Sequence, residues 1–188
     1  RSANIDFLLG LLKQVLAKRP ELRLVVASAT IDAAKFSNYF GGAPVLKIDG
    51  RLHNVEIVWG ETYGSSTREG VVSTIEQILN TSDEGDILVF LTGIDDINGV
   101  EEGLGYLRGS HDLVVLPAHG SLSPEDQVKV FYSYPNRRKV VLATNIAETS
   151  ITIDGIVYVV DTGFIKQIGF VTSIGIQSLD VCEHSKAG

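Results

Sequence analysis

The apolar positions of this chain follow two different periods along its length. Continuous runs rich in β-branched residues predict strands that are buried in a parallel sheet. These runs lie at residues 22–27, 45–48, 85–93, 113–116, 140–143 and 156–160. Apolar residues that alternate with polar ones, as at Val55, Ile57 and Trp59, predict instead a half-exposed edge strand.

Apolar residues spaced three or four positions apart predict helices between these strands. The predicted helices cover residues 2–18, 32–40 and 69–79, and two more begin at Asp95 and at Ser123. Strands that alternate with helices predict an α/β fold, a parallel sheet covered by helices on both faces. A turn at residues 49–51 predicts a domain boundary, which divides the chain into residues 1–50 and 51–188.

The composition of the chain bears on whether it folds, on its redox compartment, and on its binding to membranes or nucleic acid. Of its 188 residues, 44% are hydrophobic and 21% are charged, so it can bury a core and is not a disordered tail. The single cysteine, Cys182, allows no disulfide framework and suits a reducing, intracellular compartment. No apolar run reaches the roughly 18 residues of a membrane span. The net charge of −7 argues against broad wrapping of nucleic acid, but it leaves room for a narrow channel on one face.

Three further patterns concern metals, phosphates and surface charge. The four histidines share no ligand spacing, so the sequence predicts no zinc site, and the chain contains no GxxxxGK[ST] phosphate loop. Asp95 and Asp96 open a predicted helix, where acidic residues favour the helix dipole, so we interpret them as structural and not as metal ligands. The basic turn at residues 136–139 is interpreted as a solvated charge run.

The polar segment after the strand at residues 140–143 is the main candidate for a binding site. It contains Thr144, Asn145, Ser150, Thr152 and Asp154. Open α/β sheets bind ligands at the carboxyl ends of their strands. Hydroxyls and amides at that edge can hydrogen-bond phosphate oxygens or sugar hydroxyls. The alternative is an ordinary strand, turn and short helix in which these side chains only cap.

Several segments resemble the motifs of the DEAH-box RNA helicases of superfamily 2. The string ATNIAETSITIDGIVYVVDTGF at residues 143–164 resembles their motif V, and GDILVFLTG at residues 85–93 resembles motif IV. Ser28-Ala29-Thr30 follows a predicted strand and resembles motif III. Residues 165–181 resemble the β-hairpin between motifs V and VI. The resemblance runs from just after the DEAH motif to just before motif VI.

This resemblance implies a fold and an activity. It implies two RecA-like lobes of the P-loop NTPase type, with residues 1–50 in the C-terminal part of the first lobe and residues 51–188 in the second. It implies an ATP-dependent RNA helicase that couples ATP hydrolysis, with Mg²⁺, to translocation on single-stranded RNA and to remodelling of RNA and ribonucleoprotein. The phosphate loop, the DEAH carboxylates, most metal ligands and the arginine finger fall outside this sequence, so we expect the chain alone to be catalytically inactive.

The resemblance also assigns roles to individual residues. The residues expected to contact RNA phosphates and sugars are Thr92, Gly93, Thr144, Asn145 and Ser150. The residues expected to contact ATP are Phe131, Thr152 and Asp154, with Phe131 stacked on the adenine and Asp154 at the ribose. Ser28, Ala29 and Thr30 are expected to couple the nucleotide state to lobe closure. Without the resemblance, Phe131 would be interpreted as a core residue of its helix.

The implied partners are single-stranded RNA and an activator such as a G-patch protein, or a ribonucleoprotein assembly, without a membrane. The implied location is the nucleus (spliceosome or nucleolus) or the cytoplasm. Two other classes of function stay open: a non-catalytic interaction module that kept the fold and lost the ATPase, and a DNA translocase of the same superfamily. Unwinding of RNA and DNA duplexes would separate the translocases.

Overall fold

The computed structural model of the chain describes residues 3–27, 32–48, 53–60, 66–82, 84–144, 152–171 and 176–183. The chain divides into two compact units, Arg1–Ile57 and Val58–Gly188. The first unit contains two helices, α1 (Ala3–Lys18) and α2 (Ala33–Tyr39). The Asp32 side chain begins α2 by accepting a hydrogen bond from the Lys35 backbone N–H at 3.1 Å. Both helices were predicted.

The strands predicted in and beside the first unit are not formed. Residues 22–27, 45–48 and 55–59 lack regular secondary structure, and their apolar residues are exposed except Leu24, which is half-buried. Val25 is 86% exposed, Leu46 is 85% exposed and Trp59 is 90% exposed. A strand exists only where a neighbouring strand accepts its backbone hydrogen bonds, and no described strand pairs with these segments. The predictions of buried strands at residues 22–27 and 45–48 and of an edge strand around Val55 are therefore wrong for this structure.

The second unit is built on a four-stranded sheet. Its strands are β1 (Asp86–Phe90), β2 (Leu113–Ala118), β3 (Arg138–Ala143) and β4 (Ile156–Asp161), in the spatial order β2-β3-β1-β4. All three pairings are parallel. The helix α3 (Thr67–Thr81) precedes β1. The helix α4 (Ile94–Gly103) and a 3₁₀ turn at Gly105–Gly109 connect β1 to β2, and α5 (Pro124–Gln127) and a 3₁₀ turn at Val128–Phe131 connect β2 to β3. The predicted fold class, a parallel sheet flanked by helices, is confirmed.

Alternate residues of the strands face opposite sides of the sheet and enter two hydrophobic clusters. On one side, Ile87 and Leu142 pack with α3 and α4. On the other side, Val141 packs with Val130 and Ile153. The second side is covered by the Val128–Phe131 turn and the segment before β4, which are much smaller than the two helices of the first side.

Strand β4 was predicted to be buried, and the structure corrects this. It lies at the edge of the sheet, with β1 as its neighbour. Its residues alternate between half-buried and exposed, and Val157 is 66% exposed. An edge strand can therefore carry a continuous apolar run without being covered on both faces. After it come β5 (Phe164–Val171) and β6 (Ile176–Glu183), an antiparallel hairpin as predicted.

The basic turn before β3 is not a solvated charge run. Arg137 donates to the Leu113 carbonyl at 2.8 Å. Arg138 donates to the carbonyls of Ser82, of Glu84 at 3.1 Å and of Gly85 at 2.7 Å, beyond the end of α3. Lys139 is buried. These cations satisfy backbone carbonyls at the amino end of the sheet, because those groups would otherwise lie beside the core without a donor. No helix in the described part of the chain is long and apolar enough to cross a membrane.

Candidate nucleic-acid and nucleotide interface

The parallel strands bring the predicted RNA-contacting residues of two segments to one edge of the sheet. Ala143 ends β3 beside Phe90 of β1 on one side and Ala118 of β2 on the other. The Thr144 N–H donates to the Ala118 carbonyl at 3.1 Å, which fixes its backbone directly beyond the strand. Neighbouring strands lie about 4.8 Å apart, so the residues that follow Phe90 emerge beside Thr144. The structure thus collects Thr92, Gly93 and Thr144 at the carboxyl edge, as the parallel arrangement predicted.

The Thr92 hydroxyl is already engaged. Its Oγ1 donates to Asp96 Oδ2, and Arg68 Nε donates to Asp96 Oδ1 at 2.8 Å. A hydroxyl has one hydrogen to donate, so in this arrangement Thr92 has acceptor lone pairs but no free hydrogen. Its chemistry therefore suits a sugar hydroxyl, which can donate, better than a phosphate oxygen.

Asp96 carries negative charge at the start of α4. Partial burial acts to raise its pKa, but the hydrogen bonds from Thr92 and Arg68, with the charges of Arg68 and Lys166, outweigh burial and hold the pKa below its ordinary value. Through these two bonds Asp96 joins Thr92, just after β1, to the first turns of α3 and α4. In the residues that the structure describes, no group of three His, Cys, Asp or Glu side chains could hold a metal ion.

Lys166 is a candidate that the sequence patterns did not single out. It lies on β5, and its Nζ is 3.3 Å from the point where a Cβ on Gly93 would stand. A side chain at position 93 would crowd this ammonium group, so glycine lets the lysine approach the start of α4. The only signal for Lys166 in the sequence is its place on an alternating hairpin, which does not reveal that the hairpin returns to the sheet edge.

Phe131, the predicted adenine contact, ends the 3₁₀ turn Val128–Phe131. The residue is 45% exposed and belongs to neither hydrophobic cluster, whereas its neighbour Val130 is 3% exposed. The alternative interpretation of Phe131 as a core residue is therefore wrong. An exposed aromatic face is the group that stacking on a nucleobase requires.

Thr152 and Asp154 are exposed just before β4. The Asp154 carbonyl accepts a hydrogen bond from Lys139 Nζ at 3.2 Å, and the carbonyls of Val130 and Tyr132 lie 3.0 and 3.4 Å from the same nitrogen. Lys139 thus connects the segment of Phe131 with the segment of Asp154. Together these segments offer an aromatic ring and a carboxylate, which suit the base and the ribose of a nucleotide.

Five of the predicted site residues lie outside the described part of the chain. They are Ser28, Ala29, Thr30, Asn145 and Ser150. At the described edge, two buried side-chain atoms, His119 Nδ1 and Thr162 Oγ1, have no hydrogen-bond partner among the described residues. They follow β2 and β4 directly, so polar groups without protein partners occur on both sides of Thr144 and Thr92.

Comparisons with known proteins show the family of this chain. Residues 70–179 match the helicase conserved C-terminal domain. The chain is 45% identical over 194 aligned positions to the pre-mRNA-splicing factor ATP-dependent RNA helicase prp22 of Schizosaccharomyces pombe, covering all of this chain and 16% of that protein. The crystal structure of the E. coli DExH-box NTPase HrpB superposes with a TM-score of 0.86 at 35% identity, covering all of this chain and 23% of that one.

The chain thus spans less than a quarter of the length of either relative. The matched segment contains β1 to β5, the helices α4 and α5 and most of α3. The resemblance to the DEAH-box family is confirmed, and the chain belongs to the helicases that carry this conserved C-terminal domain.

Proposed function

We propose that this chain is part of an ATP-dependent RNA helicase that couples ATP hydrolysis to translocation on single-stranded RNA and to remodelling of RNA and ribonucleoprotein. The observation that carries the proposal is the carboxyl edge of the sheet, where Thr92, Gly93 and Thr144 lie together. The similarity to the Schizosaccharomyces pombe relative, an ATP-dependent RNA helicase and splicing factor, supports it.

The RNA contacts would be made to the backbone and not to the bases. Thr144 would hydrogen-bond a phosphate, the Thr92 oxygen would accept from a ribose hydroxyl, and Asn145 and Ser150 would add contacts from the following segment. The Lys166 ammonium beside Gly93 supplies a local positive charge in a chain whose net charge is −7. Contacts of this kind position a strand without reading its sequence, which is what movement along any RNA requires.

The nucleotide would be held by Phe131 against the adenine and by Thr152 and Asp154 near the ribose. ATP with Mg²⁺ would supply the phosphoryl chemistry. The described residues fit the base and the ribose. As the family resemblance implies, the phosphates and most of the metal ligation would be supplied by parts of the full-length protein outside this sequence. Ser28, Ala29 and Thr30 would link the nucleotide state to lobe closure.

The proposed partners are single-stranded RNA and a G-patch-type activator or a ribonucleoprotein assembly. The similarity to a splicing helicase favours the spliceosome and hence the nucleus, with the nucleolus and the cytoplasm as alternatives.

The test is an ATPase and unwinding assay on the full-length protein. We expect ATP hydrolysis to be stimulated by single-stranded RNA and a tailed RNA duplex to be unwound. Equal or better unwinding of a tailed DNA duplex would favour a DNA translocase. Absence of ATPase in a folded protein that still binds RNA would favour a non-catalytic interaction module.

A further inference from the structure

One buried lysine contacts both segments that carry the proposed nucleotide-binding residues. The Lys139 side chain is 3% exposed. Its Nζ lies 3.0 Å from the Val130 carbonyl and 3.4 Å from the Tyr132 carbonyl, the two residues that flank Phe131. The same nitrogen lies 3.2 Å from the Asp154 carbonyl. A single ammonium group therefore ties the backbone around Phe131 to the backbone of Asp154.

Asp86 completes the arrangement from the neighbouring strand. Its Oδ2 lies 3.5 Å from Lys139 Nζ, its Oδ1 accepts from the Lys139 N–H at 2.9 Å, and its own N–H donates to the Gly155 carbonyl at 2.8 Å. Gly155 has φ +90°, and a Cβ built on it would lie 2.7 Å from Asp86 Oδ2. The turn at Asp154 and Gly155 is thus packed directly on the ion pair, and it has no room for a side chain at position 155.

The lysine at this position gives buried carbonyls a donor, and it also fixes where those carbonyls lie. Lys139 lies on the same face of β3 as Val141, which packs with Val130 in a hydrophobic cluster. An apolar side chain would avoid removing an ammonium from water, but it would leave three carbonyls and the Asp86 carboxylate without this partner. What the ammonium adds is direction: its three N–H donors face three carbonyls on two separate segments.

We propose that Lys139 is a positioning residue for the nucleotide, which sets the place of the Phe131 ring relative to the Asp154 carboxylate. The inference rests on the proposed function, since it acts through the adenine and ribose contacts assigned there. In nucleotide-driven catalysis, a misplacement of about 1 Å can cost roughly 10²-fold in rate. Loss of the lysine would therefore loosen the hold on base and ribose, although Lys139 itself does not touch the nucleotide.

The test compares Lys139→Met with Leu104→Ala in the full-length protein. Leu104 is fully buried in the cluster on the α3 and α4 side, so its truncation destabilises the same unit from the opposite face of the sheet. For each variant we would measure the melting temperature and the KM and kcat for ATP and for 2′,3′-dideoxy-ATP, with saturating single-stranded RNA. We expect kcat/KM for ATP to fall about 10- to 100-fold in Lys139→Met. The preference for ATP over the dideoxy analogue should fall toward one, because the ribose contact is displaced.

Leu104→Ala should lower the melting temperature and keep this preference. If Lys139→Met also keeps it, with KM changed no more than in the control, Lys139 is merely structural and the proposal is overturned. If Lys139→Met does not fold, Gly155→Ala replaces it. That variant retains the lysine and pushes the turn away from Asp86, so it must lower the same preference, and a preference like that of the wild type would overturn the proposal.

Phe131→Ala and Asp154→Ala separate this inference from the proposed function. If both leave the KM for ATP and the sugar preference unchanged, the nucleotide assignment is wrong, and the role of Lys139 is wrong with it. If both variants change these values while Lys139→Met matches the Leu104→Ala control, the nucleotide assignment stands and only the positioning role is overturned.

Discussion

Arg68 Nε donates to Asp96 Oδ1 at 2.8 Å, and this bond joins the first turn of α3 to the first turn of α4. The N-terminus of a helix favours negative charge and disfavours positive charge. Asp96 is therefore stabilised where it stands, and it supplies the partner that Arg68 needs at the start of α3. Because Asp96 also accepts from Thr92, the ion pair holds the proposed RNA contact against both helices.

This relationship predicts a pH-dependent contribution to stability. The folded-state pKa of Asp96 is depressed, so its contribution is fully present above the unfolded value of about 3.9 and is lost as pH falls through the lower folded value. We expect Asp96→Asn to lower the free energy of unfolding by roughly 1 kcal/mol at pH 7. The difference from wild type should shrink below about pH 4. Urea unfolding at both pH values measures it.

The control is Asp95→Asn, which removes a charge from the same first turn of α4. It should cost only the interaction with the helix dipole, about 0.3–1 kcal/mol. A loss in Asp96→Asn that stayed the same from neutral to strongly acidic pH would contradict the role given to the Asp96 charge.

A second prediction concerns the grip on RNA. We expect Thr144→Val combined with Asn145→Ala to weaken binding of single-stranded RNA by the full-length protein, to a similar degree for every sequence, because the contacts are to the backbone. Each lost hydrogen bond to a charged phosphate should cost roughly 1.5–3 kcal/mol. Fluorescence anisotropy with three unrelated oligonucleotides measures this loss of affinity.

The control for this double variant is Thr74→Val, which removes an exposed hydroxyl that bonds within α3 and should bind RNA like wild type. Unchanged affinity of the double variant would remove Thr144 and Asn145 from the RNA interface.

A third prediction concerns the adenine contact. Phe131 is 45% exposed, so Phe131→Ala should change the melting temperature little while raising the KM for ATP. Truncation of a core phenylalanine would instead cost about 3–5 kcal/mol. An ATPase titration and a melting curve on the one variant separate these outcomes. A wild-type KM would show that the ring does not stack on the base.

A fourth prediction concerns the stability cost of replacing Gly85, which lies just before β1 and close to Val157 of β4. Gly85 has φ +86°, and a Cβ there would lie 2.5 Å from Val157 Cβ. Gly85→Ala should therefore cost about 1–3 kcal/mol from backbone strain alone, with a further cost for moving Val157 on its strand. Gly105→Ala meets no atom within 4 Å and should change stability by less than about 1 kcal/mol. Chemical denaturation of both variants measures the difference, and equal stabilities would contradict the close approach.

The last prediction concerns the 188-residue chain by itself. It contains no phosphate-loop pattern, and loss of an arginine finger alone can cost on the order of 10³ to 10⁵ in rate. We expect no phosphate release from ATP above background, with or without RNA, and weak RNA binding that falls as salt rises. RNA-stimulated turnover by the purified chain would show that the catalytic groups have been assigned to the wrong part of the protein.

Much of the second unit follows from the sequence alone, because its elements depend on local pattern. The periods of apolar residues predicted α3 and the strands β1, β2 and β3, and parallel strands necessarily bring Thr92 and Thr144 to one edge. The motif resemblance identified the family. A helix or strand of this kind forms wherever one of its faces is buried, so the apolar period alone is enough to predict it.

Other features depended on which strands have neighbours. The apolar runs at residues 22–27 and 156–160 look alike in sequence, yet the first pairs with no described strand and the second becomes a half-exposed edge. The pattern of apolar residues shows which side chains a segment can bury. Whether the segment becomes a paired strand depends on which other segment supplies its backbone hydrogen bonds.

The positions and contacts of two charged residues near the site were determined by the tertiary structure and could not be predicted from the sequence. In sequence, Lys139 belongs to a basic turn, and Lys166 is one polar residue of a hairpin. In the structure the first is buried against three carbonyls and the second lies over Gly93. A charged side chain enters the interior only where distant backbone groups converge to satisfy it. The carbonyls around Lys139 belong to residues 7, 9 and 15 positions away, in two segments outside β3. Lys166 stays exposed and lies beside Gly93 at the end of another strand. The apolar period of a strand or helix reveals neither contact.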